Sequence, residues 1–189
     1  MEYIDGHPLT RLTPIGAPLA ELLPLRLVID VAMELCAGLG ALHAASIVHC
    51  DIKSDNVLIA RDGRVVITDF GVARSNTRNT RITQDQAIVG TPLYVSPELI
   101  EGREPDGRCD LYSLGAVLFQ LLTGAPPFQS DSRVSVLGLH VSAPIPRLPP
   151  ALARFQPLIE GLLAKDPDDR FQTTEELRQG IAWVRRSLP

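Results

Sequence analysis

The sequence has 189 residues, 45% hydrophobic and 21% charged, so it can bury one sizeable core but is too short for several domains. Its formal net charge of −4, with no run of Lys or Arg, argues against binding to nucleic acid. The widely spaced Cys36, Cys50 and Cys109 predict neither a disulfide framework nor a zinc site, and no stretch has the pattern of a signal peptide or membrane span, so we expect a cytoplasmic protein.

The first predicted element is a long helix. Apolar residues recur at steps of three or four from Leu25 to Leu42, and Pro24 stands at a position suited to a helix start. Two short runs rich in β-forming residues follow, at 57–59 and 65–67, and the turn residues Asp62-Gly63 between them predict a hairpin. Because two strands alone are only marginally stable, we expect this hairpin to lie on helices.

The rest of the chain predicts a loop and two further helices. Residues 72–89 are polar with little periodicity, which favours a loop. A helix over about Asp110 to Thr123 is so apolar that we expect it to be buried, with Gly124 just beyond its end. Thr173 and Glu176 have the spacing of a capping box at the start of a last helix.

Four polar residues flank the predicted hairpin. Asp51, Lys53 and Asn56 precede it, and Asp69 follows it at the start of Asp-Phe-Gly. Phosphoryl transfer needs a carboxylate to orient a hydroxyl and accept its proton, oxygen ligands for Mg²⁺, and positive charge near the phosphoryl group. These four side chains offer all three functions, and the Asn56 amide with the Asp69 carboxylate suits a hard cation that also binds phosphate. Taken singly, such loop carboxylates could equally cap a turn or be solvated.

The same residues resemble motifs of the protein kinase family. The matches are H-x-D-x-K-x-x-N at 49–56, D-F-G at 69–71, a segment at 90–98 in the place of the A-P-E region, D-x-x-S-x-G from Asp110, and Arg170. The resemblance covers essentially the whole chain. It implies a mainly α fold, that of the kinase large (C-terminal) lobe, helical with a short β-hairpin and without the β-rich N-terminal small lobe. Residues 1–7 would be the hinge and residues 8–189 the large lobe, with catalytic loop 49–56 and activation segment 69–98.

The resemblance also implies roles in catalysis. Asp51 and Lys53 would be catalytic, and Asn56 and Asp69 would hold Mg²⁺. Lys53 matches the serine/threonine branch of the family, and Thr91 matches a threonine that seats the hydroxyl substrate. The implied partners are therefore protein substrates with Ser or Thr acceptors.

The nucleotide site implied by the resemblance is that of ATP. Glu2 and Ile4 would face adenine through their backbone, and Leu58 would form the floor beneath the base. The style of the sequence also resembles bacterial kinases of eukaryotic type.

Four further residues are implied to support the site. His49 would bond to backbone near the Asp-Phe-Gly turn, and Asp110 would accept backbone hydrogen bonds from the catalytic loop. Glu98 and Arg170 would form a buried pair that stabilises the lobe, although both could instead be surface charges of little consequence.

Three departures from the family pattern stand out. Residues 1–189 contain no G-x-G-x-x-G loop and no V-A-I-K motif, so we expect the small-lobe lysine and its partner glutamate to be absent as well. Cys50 replaces the arginine of H-R-D and cannot bind a phosphorylated loop by charge, so conventional gating by phosphorylation is not expected. Ser54 and Ser96, in the places of a proline and an alanine, keep a compact size, and we expect no catalytic role for them.

Three hypotheses about activity remain open. The chain could be the C-terminal part of a full kinase, inactive alone, which the upstream coding frame would decide. It could be a nonenzymatic binding or scaffold module, which the intact mass of the native protein would test. It could also be half of a split enzyme whose small lobe is a separate polypeptide acting in trans, which co-purification would test.

Overall fold

The structure is a computed structural model that describes residues 4–16, 23–69, 74–75 and 92–188. These residues are mainly α-helical, as the sequence predicts, and carry a three-stranded and a two-stranded antiparallel sheet. The described helices are α1 (Leu9–Leu12), α2 (Leu25–Ala44), α3 (Pro97–Ile100), α4 (Gly107–Thr123), α5 (Arg133–Ser142), α6 (Gln156–Leu163) and α7 (Thr174–Arg186). The strands are β1 (Gly6–Pro8), β2 (Ile47–Val48), β3 (Val57–Ala60), β4 (Val65–Ile67) and β5 (Arg74–Ser75).

Helix α2 confirms the first prediction and runs two residues beyond Leu42. Its inward face is fully buried at Val28, Val31, Leu35 and Leu39, the positions that carry the helical period. The face packs on α4 and α7, so α2 joins the central helix to the last one.

Helix α4 is the buried centre of the fold. Every residue from Cys109 to Leu122 is buried, as its apolar sequence predicts. The helix begins three residues earlier than Asp110 because the Asp106 carboxylate accepts a hydrogen bond from the Arg108 N–H at 2.8 Å and caps the first turn. It ends where predicted, with Gly124 in the left-handed conformation at φ 79°.

The start of α7 follows the predicted capping box with one difference. The Thr173 hydroxyl accepts a hydrogen bond from the Glu176 N–H at 3.1 Å. The Glu176 carboxylate reaches back to the N–H of Gln172, at 2.7 Å, rather than to that of Thr173. Leu177, Ile181 and Val184 form the buried stripe of the helix.

The predicted hairpin is present as β3 and β4, but the sequence did not predict the third strand of this sheet, β1. β1 pairs antiparallel with β3 in the register Gly6 to Ala60 and Pro8 to Leu58. A three-residue strand is too short to show an alternating pattern. Glycine is needed at its start, because a Cβ at Gly6 would lie 2.5 Å from the Ile59 carbonyl oxygen.

The sheet has one face on the core and one turned away from it. Val57, Ile59 and Ile67 pack against the main core. Side chains alternate along a strand, so the intervening Leu58 and its cross-strand neighbour Val66 lie on the opposite face, where both are partly exposed.

Part of the predicted loop over residues 72–89 is instead a strand. Arg74 and Ser75 pair with Val48 and Ile47 in a two-stranded sheet beside the catalytic loop. The partner strand lies more than twenty residues away in the sequence, so no local pattern predicts this pairing. Among the helices in the described ranges, none combines the length and apolar character needed to span a bilayer.

Candidate active site

The catalytic loop is held by a buried carboxylate from the central helix. The Asp110 side chain is fully buried, and it accepts hydrogen bonds from the N–H groups of His49 at 2.9 Å and Cys50 at 2.8 Å. His43 Nε2 lies 2.8 Å from the same carboxylate. These contacts hold Cys50 in the left-handed region, at φ 64°, which is unfavourable for a residue with a Cβ. The direction of the loop is therefore set by α4, far along the sequence.

His49 connects the loop to the strand that precedes Asp69. It is fully buried, and its Nδ1 accepts a hydrogen bond from the Asp51 N–H at 3.3 Å. The other ring nitrogen, Nε2, lies 3.1 Å from the Thr68 carbonyl and therefore donates to it, so the proton is assigned to Nε2. This arrangement suits a scaffold residue rather than a proton shuttle.

Asp51 lies on the loop with two side chains of the predicted set around it. Lys53 Nζ donates to Asp51 Oδ2 at 2.7 Å, and Asn56 Nδ2 donates to the same oxygen at 3.0 Å. Asn56 Nδ2 also donates to the Asp51 carbonyl at 2.9 Å. The Asp51 side chain remains 33% exposed, so its carboxylate is both oriented and accessible.

Asn56 and Asp69, predicted to hold a magnesium ion, both carry side-chain oxygens of the kind that this ion prefers. The Thr68 N–H donates to the Asn56 carbonyl at 2.8 Å, which brings the following residue, Asp69, close to Asn56. Because the Asn56 nitrogen bonds to Asp51, its amide oxygen points away from that residue. Asp69 is exposed and has φ 60°, a conformation that Asp tolerates better than most residues. One amide and one carboxylate oxygen fit an ion that keeps water or phosphate as its other ligands.

The residues predicted to contact ATP are only partly described. Leu58 lies on the sheet face turned away from the core, and Ile4 is partly buried just before β1. Glu2, predicted at the adenine, and Thr91, predicted at the hydroxyl substrate, lie outside the described residues.

Glu98 and Arg170, predicted to support the lobe, lie together in its interior. The Arg170 Nη1 and Nη2 groups donate to the two Glu98 oxygens at 2.7 and 2.8 Å. The two side chains are 0% and 5% exposed, which excludes the alternative that they are surface charges.

A buried polar network beneath the loop was missed by sequence analysis. The Gln120 amide oxygen accepts hydrogen bonds from the Ser54 hydroxyl at 2.9 Å and from the Tyr94 hydroxyl, and the Gln120 nitrogen donates to the Thr13 carbonyl at 3.2 Å. Ser54, Gln120 and Thr13 are all fully buried. Ser54 thus does more than keep a compact size, since it ties the loop to α4. The signal in the sequence was a lone glutamine inside an apolar helix, which needs partners when buried.

The comparison with protein families agrees with this geometry. The model of the protein kinase domain matches residues 1–181. The chain belongs to the protein kinase family. This confirms the resemblance found in the motifs and, with the helical structure, the predicted fold.

The relatives of this kinase chain are bacterial serine/threonine kinases. It is 37% identical to Serine/threonine-protein kinase PknB of Mycobacterium leprae, over 100% of this chain and 30% of the relative. It is 39% identical to the protein of the same name in Mycolicibacterium smegmatis, over 97% of the chain and 30% of the relative. It is 40% identical to a Probable serine/threonine-protein kinase of Streptomyces coelicolor, over 96% of this chain and 27% of the relative. The chain thus spans about 30% of the length of the first two relatives.

Proposed function

We propose that this chain supplies the catalytic loop and metal ligands of a serine/threonine protein kinase, which transfers the γ-phosphoryl group of ATP to a Ser or Thr hydroxyl of a protein substrate. The observation that carries the proposal is the Asp51 carboxylate, oriented by Lys53 and Asn56 yet partly exposed. The names of the bacterial relatives support the choice of Ser and Thr as acceptors.

Each residue of the loop has one task in this proposal. Asp51 accepts a hydrogen bond from the substrate hydroxyl, aims its oxygen at the phosphorus and takes its proton as the bond forms. Lys53 holds the Asp51 carboxylate and places a positive charge beside the phosphoryl group. Asn56 and Asp69 hold Mg²⁺, which when bound offsets the charge of the phosphate oxygens. Thr91 seats the hydroxyl substrate.

The proposed nucleotide site lies on the outward face of the three-stranded sheet. Leu58 and Val66 offer a partly exposed apolar surface on which a base can stack, next to the strand that follows Ile4. The backbone of Glu2 and Ile4 would bond to the edge of adenine. This surface supports ATP as the phosphoryl donor.

The proposed reaction also needs groups that cover the phosphates of ATP, and this chain does not contain the motifs that supply them in kinases. Residues 1–189 contain neither G-x-G-x-x-G nor V-A-I-K, the motifs with which kinases cover and hold the phosphates. In the active enzyme these motifs would lie outside residues 1–189, either in the same polypeptide or in a small-lobe polypeptide acting in trans. The rival function is a nonenzymatic scaffold that keeps the lobe without phosphoryl transfer.

The test is a transfer assay with the small lobe present, fused or added, using radiolabelled ATP and a generic protein substrate. Asp51→Asn removes the proposed base while keeping the size of the side chain, and we expect a loss of roughly 10²–10⁴-fold in rate. Asp131→Asn is the matched control, because Asp131 is an exposed aspartate far along the sequence from the loop. Near-normal turnover in Asp51→Asn would refute the assignment, and no turnover in any assembly would favour the scaffold.

A further inference from the structure

Two thiols converge at the base of the catalytic loop. Cys50, which is partly exposed, packs against a small cluster formed by Val48, Leu99 and the fully buried Cys109. Both cysteines also meet the same oxygen, Asp110 Oδ1, which lies 2.8 Å from the Cys50 backbone nitrogen and 3.8 Å from the Cys109 sulfur. The carboxylate therefore holds the two residues side by side, although they are far apart in the sequence.

Cys50 packs against the cluster that contains Cys109, whereas the third cysteine lies in the main core. The pKa of Cys109 is raised well above its usual value, first by the neighbouring Cys50 side chain and second by burial. Cys36 lies instead within the main core, on α2, where burial raises the pKa of its thiol to about 12. The packing thus brings Cys50 and Cys109 together and leaves Cys36 apart from them.

We propose that Cys50 and Cys109 form a reversible disulfide when the chain meets a two-electron oxidant such as hydrogen peroxide. A disulfide joins two sulfur atoms about 2 Å apart, and rotation about the Cα–Cβ bonds can bring the sulfur atoms together where two cysteines pack in one cluster. Disulfides of proteins in reducing compartments are usually transient and redox-sensing, which suits a pair that rests as free thiols. The proposal goes beyond kinase activity and does not depend on it.

The chemistry balances with peroxide as the only co-reactant. The Cys50 sulfur, the more accessible of the two, attacks one peroxide oxygen, the O–O bond breaks, and a sulfenic acid and one water result. The Cys109 sulfur then attacks the Cys50 sulfur, so that the S–S bond forms and the S–O bond breaks. The hydroxide leaves with the Cys109 proton as a second water. The two thiols lose two electrons, and peroxide gains them.

The bond would fasten the catalytic loop to α4 beside Asp51. Cys50 directly precedes Asp51 and already has a left-handed backbone that depends on Asp110. A covalent link at Cys50 would add to that anchor and restrict the loop at the same point. A reductant such as dithiothreitol would release it.

The experiment treats residues 1–189 with hydrogen peroxide under native conditions and counts free thiols before and after. We expect the count to fall from three to one per chain, with a monomeric product that dithiothreitol restores to three. Peptide mapping identifies the link. No Lys or Arg lies between Cys36 and Cys50, so chymotrypsin, which cleaves after Leu39 and Leu42, must be used to separate them.

Two variants complete the test. Cys36→Ser should still lose two thiols, whereas Cys50→Ser should keep both of its remaining thiols and show no crosslink. Because Cys50 is partly exposed, its replacement by serine should leave the fold intact, as circular dichroism would verify. A bond that includes Cys36, a crosslink between two chains, or oxidation of Cys50 to its sulfinic acid without a crosslink would each overturn the proposal.

Discussion

Arg170 forms a bidentate ion pair with Glu98 in the interior of the kinase lobe. Its Nη1 and Nη2 groups each donate to one Glu98 oxygen, at 2.7 and 2.8 Å. The remaining N–H groups donate to the carbonyls of Ala164 at 2.7 Å, Lys165 at 3.0 Å and Arg108 at 3.1 Å. All five donors of the guanidinium are therefore used, and they join α3, α4 and the segment that directly follows α6.

The first prediction concerns removal of one partner of this pair. Arg170→Ala leaves the Glu98 carboxylate buried without its cation, and we expect the free energy of unfolding to fall by about 3–5 kcal/mol. Arg178→Ala is the control, because Arg178 pairs with Glu175 on the surface, with side chains 52% and 57% exposed. That variant should lose no more than about 1 kcal/mol. Urea unfolding measures both.

The pair also allows a double-mutant test. Glu98→Leu with Arg170→Met removes both charges and keeps apolar volume, so we expect it to be more stable than Arg170→Ala alone. Equal losses for Arg170→Ala and Arg178→Ala would show that the buried pair contributes nothing special.

The second prediction concerns the network around Gln120. Gln120→Leu leaves the buried Ser54 hydroxyl without its acceptor and deprives Tyr94 of its bond, so we expect a loss of about 2 kcal/mol or more in unfolding free energy. Tyr94→Phe removes only one of these bonds and should cost less. Gln179→Leu, at an exposed position on α7, is the matched control and should change stability by less than about 0.5 kcal/mol. A Gln120→Leu protein as stable as the control would contradict the role given to the network.

The third prediction is a pH dependence that arises at His140. Burial lowers the pKa of His140 from 6.5 to about 4, with a further contribution from the nearby Lys165 ammonium. Its Nδ1 lies 2.8 Å from the Tyr112 hydroxyl. Below pH 6.5 this residue is protonated in the unfolded chain but stays neutral in the folded chain. The free energy of unfolding therefore falls as the pH drops, until the folded pKa of about 4 is reached.

The size of the effect follows from the shift. We expect His140 to account for about 3 kcal/mol of lost unfolding free energy across this interval. His140→Gln removes the titration, so its stability should depend less steeply on pH between about 6.5 and about 4. Urea unfolding at a series of pH values measures both slopes, and parallel curves for the two proteins would rule out this origin.

The fourth prediction concerns residues 1–189 purified alone. We expect the chain to unfold cooperatively, because α2, α4, α6 and α7 share one core. We expect it to bind Mg-ATP weakly and to phosphorylate no generic substrate above background, because the phosphates stay exposed to water. Calorimetric titration measures the affinity for Mg-ATP, and a radiolabel transfer assay measures the phosphorylation of the substrate. Tight binding with steady turnover would contradict this expectation.

The sequence by itself determined the features that depend on neighbours a few residues away. The apolar period from Leu25 to Leu42, the glycine at 124 and the Thr173 cap all record interactions within one or two helical turns. The order and spacing of Asp51, Asn56 and Asp69 likewise pointed to phosphoryl transfer, because those residue types stand close together along the chain.

Only the tertiary structure decided the contacts that join distant parts of the chain. The packing of Cys50 against the cluster of Cys109 and the bond from Ser54 to Gln120 cross about sixty residues, and the pairing of β1 with β3 crosses about fifty. No local period or cap encodes such pairs, because they form where packed helices and strands happen to bring side chains together. The physical reason is that helix propensity and capping act over a few residues, whereas the burial that places a polar side chain beside its partner is a property of the whole core.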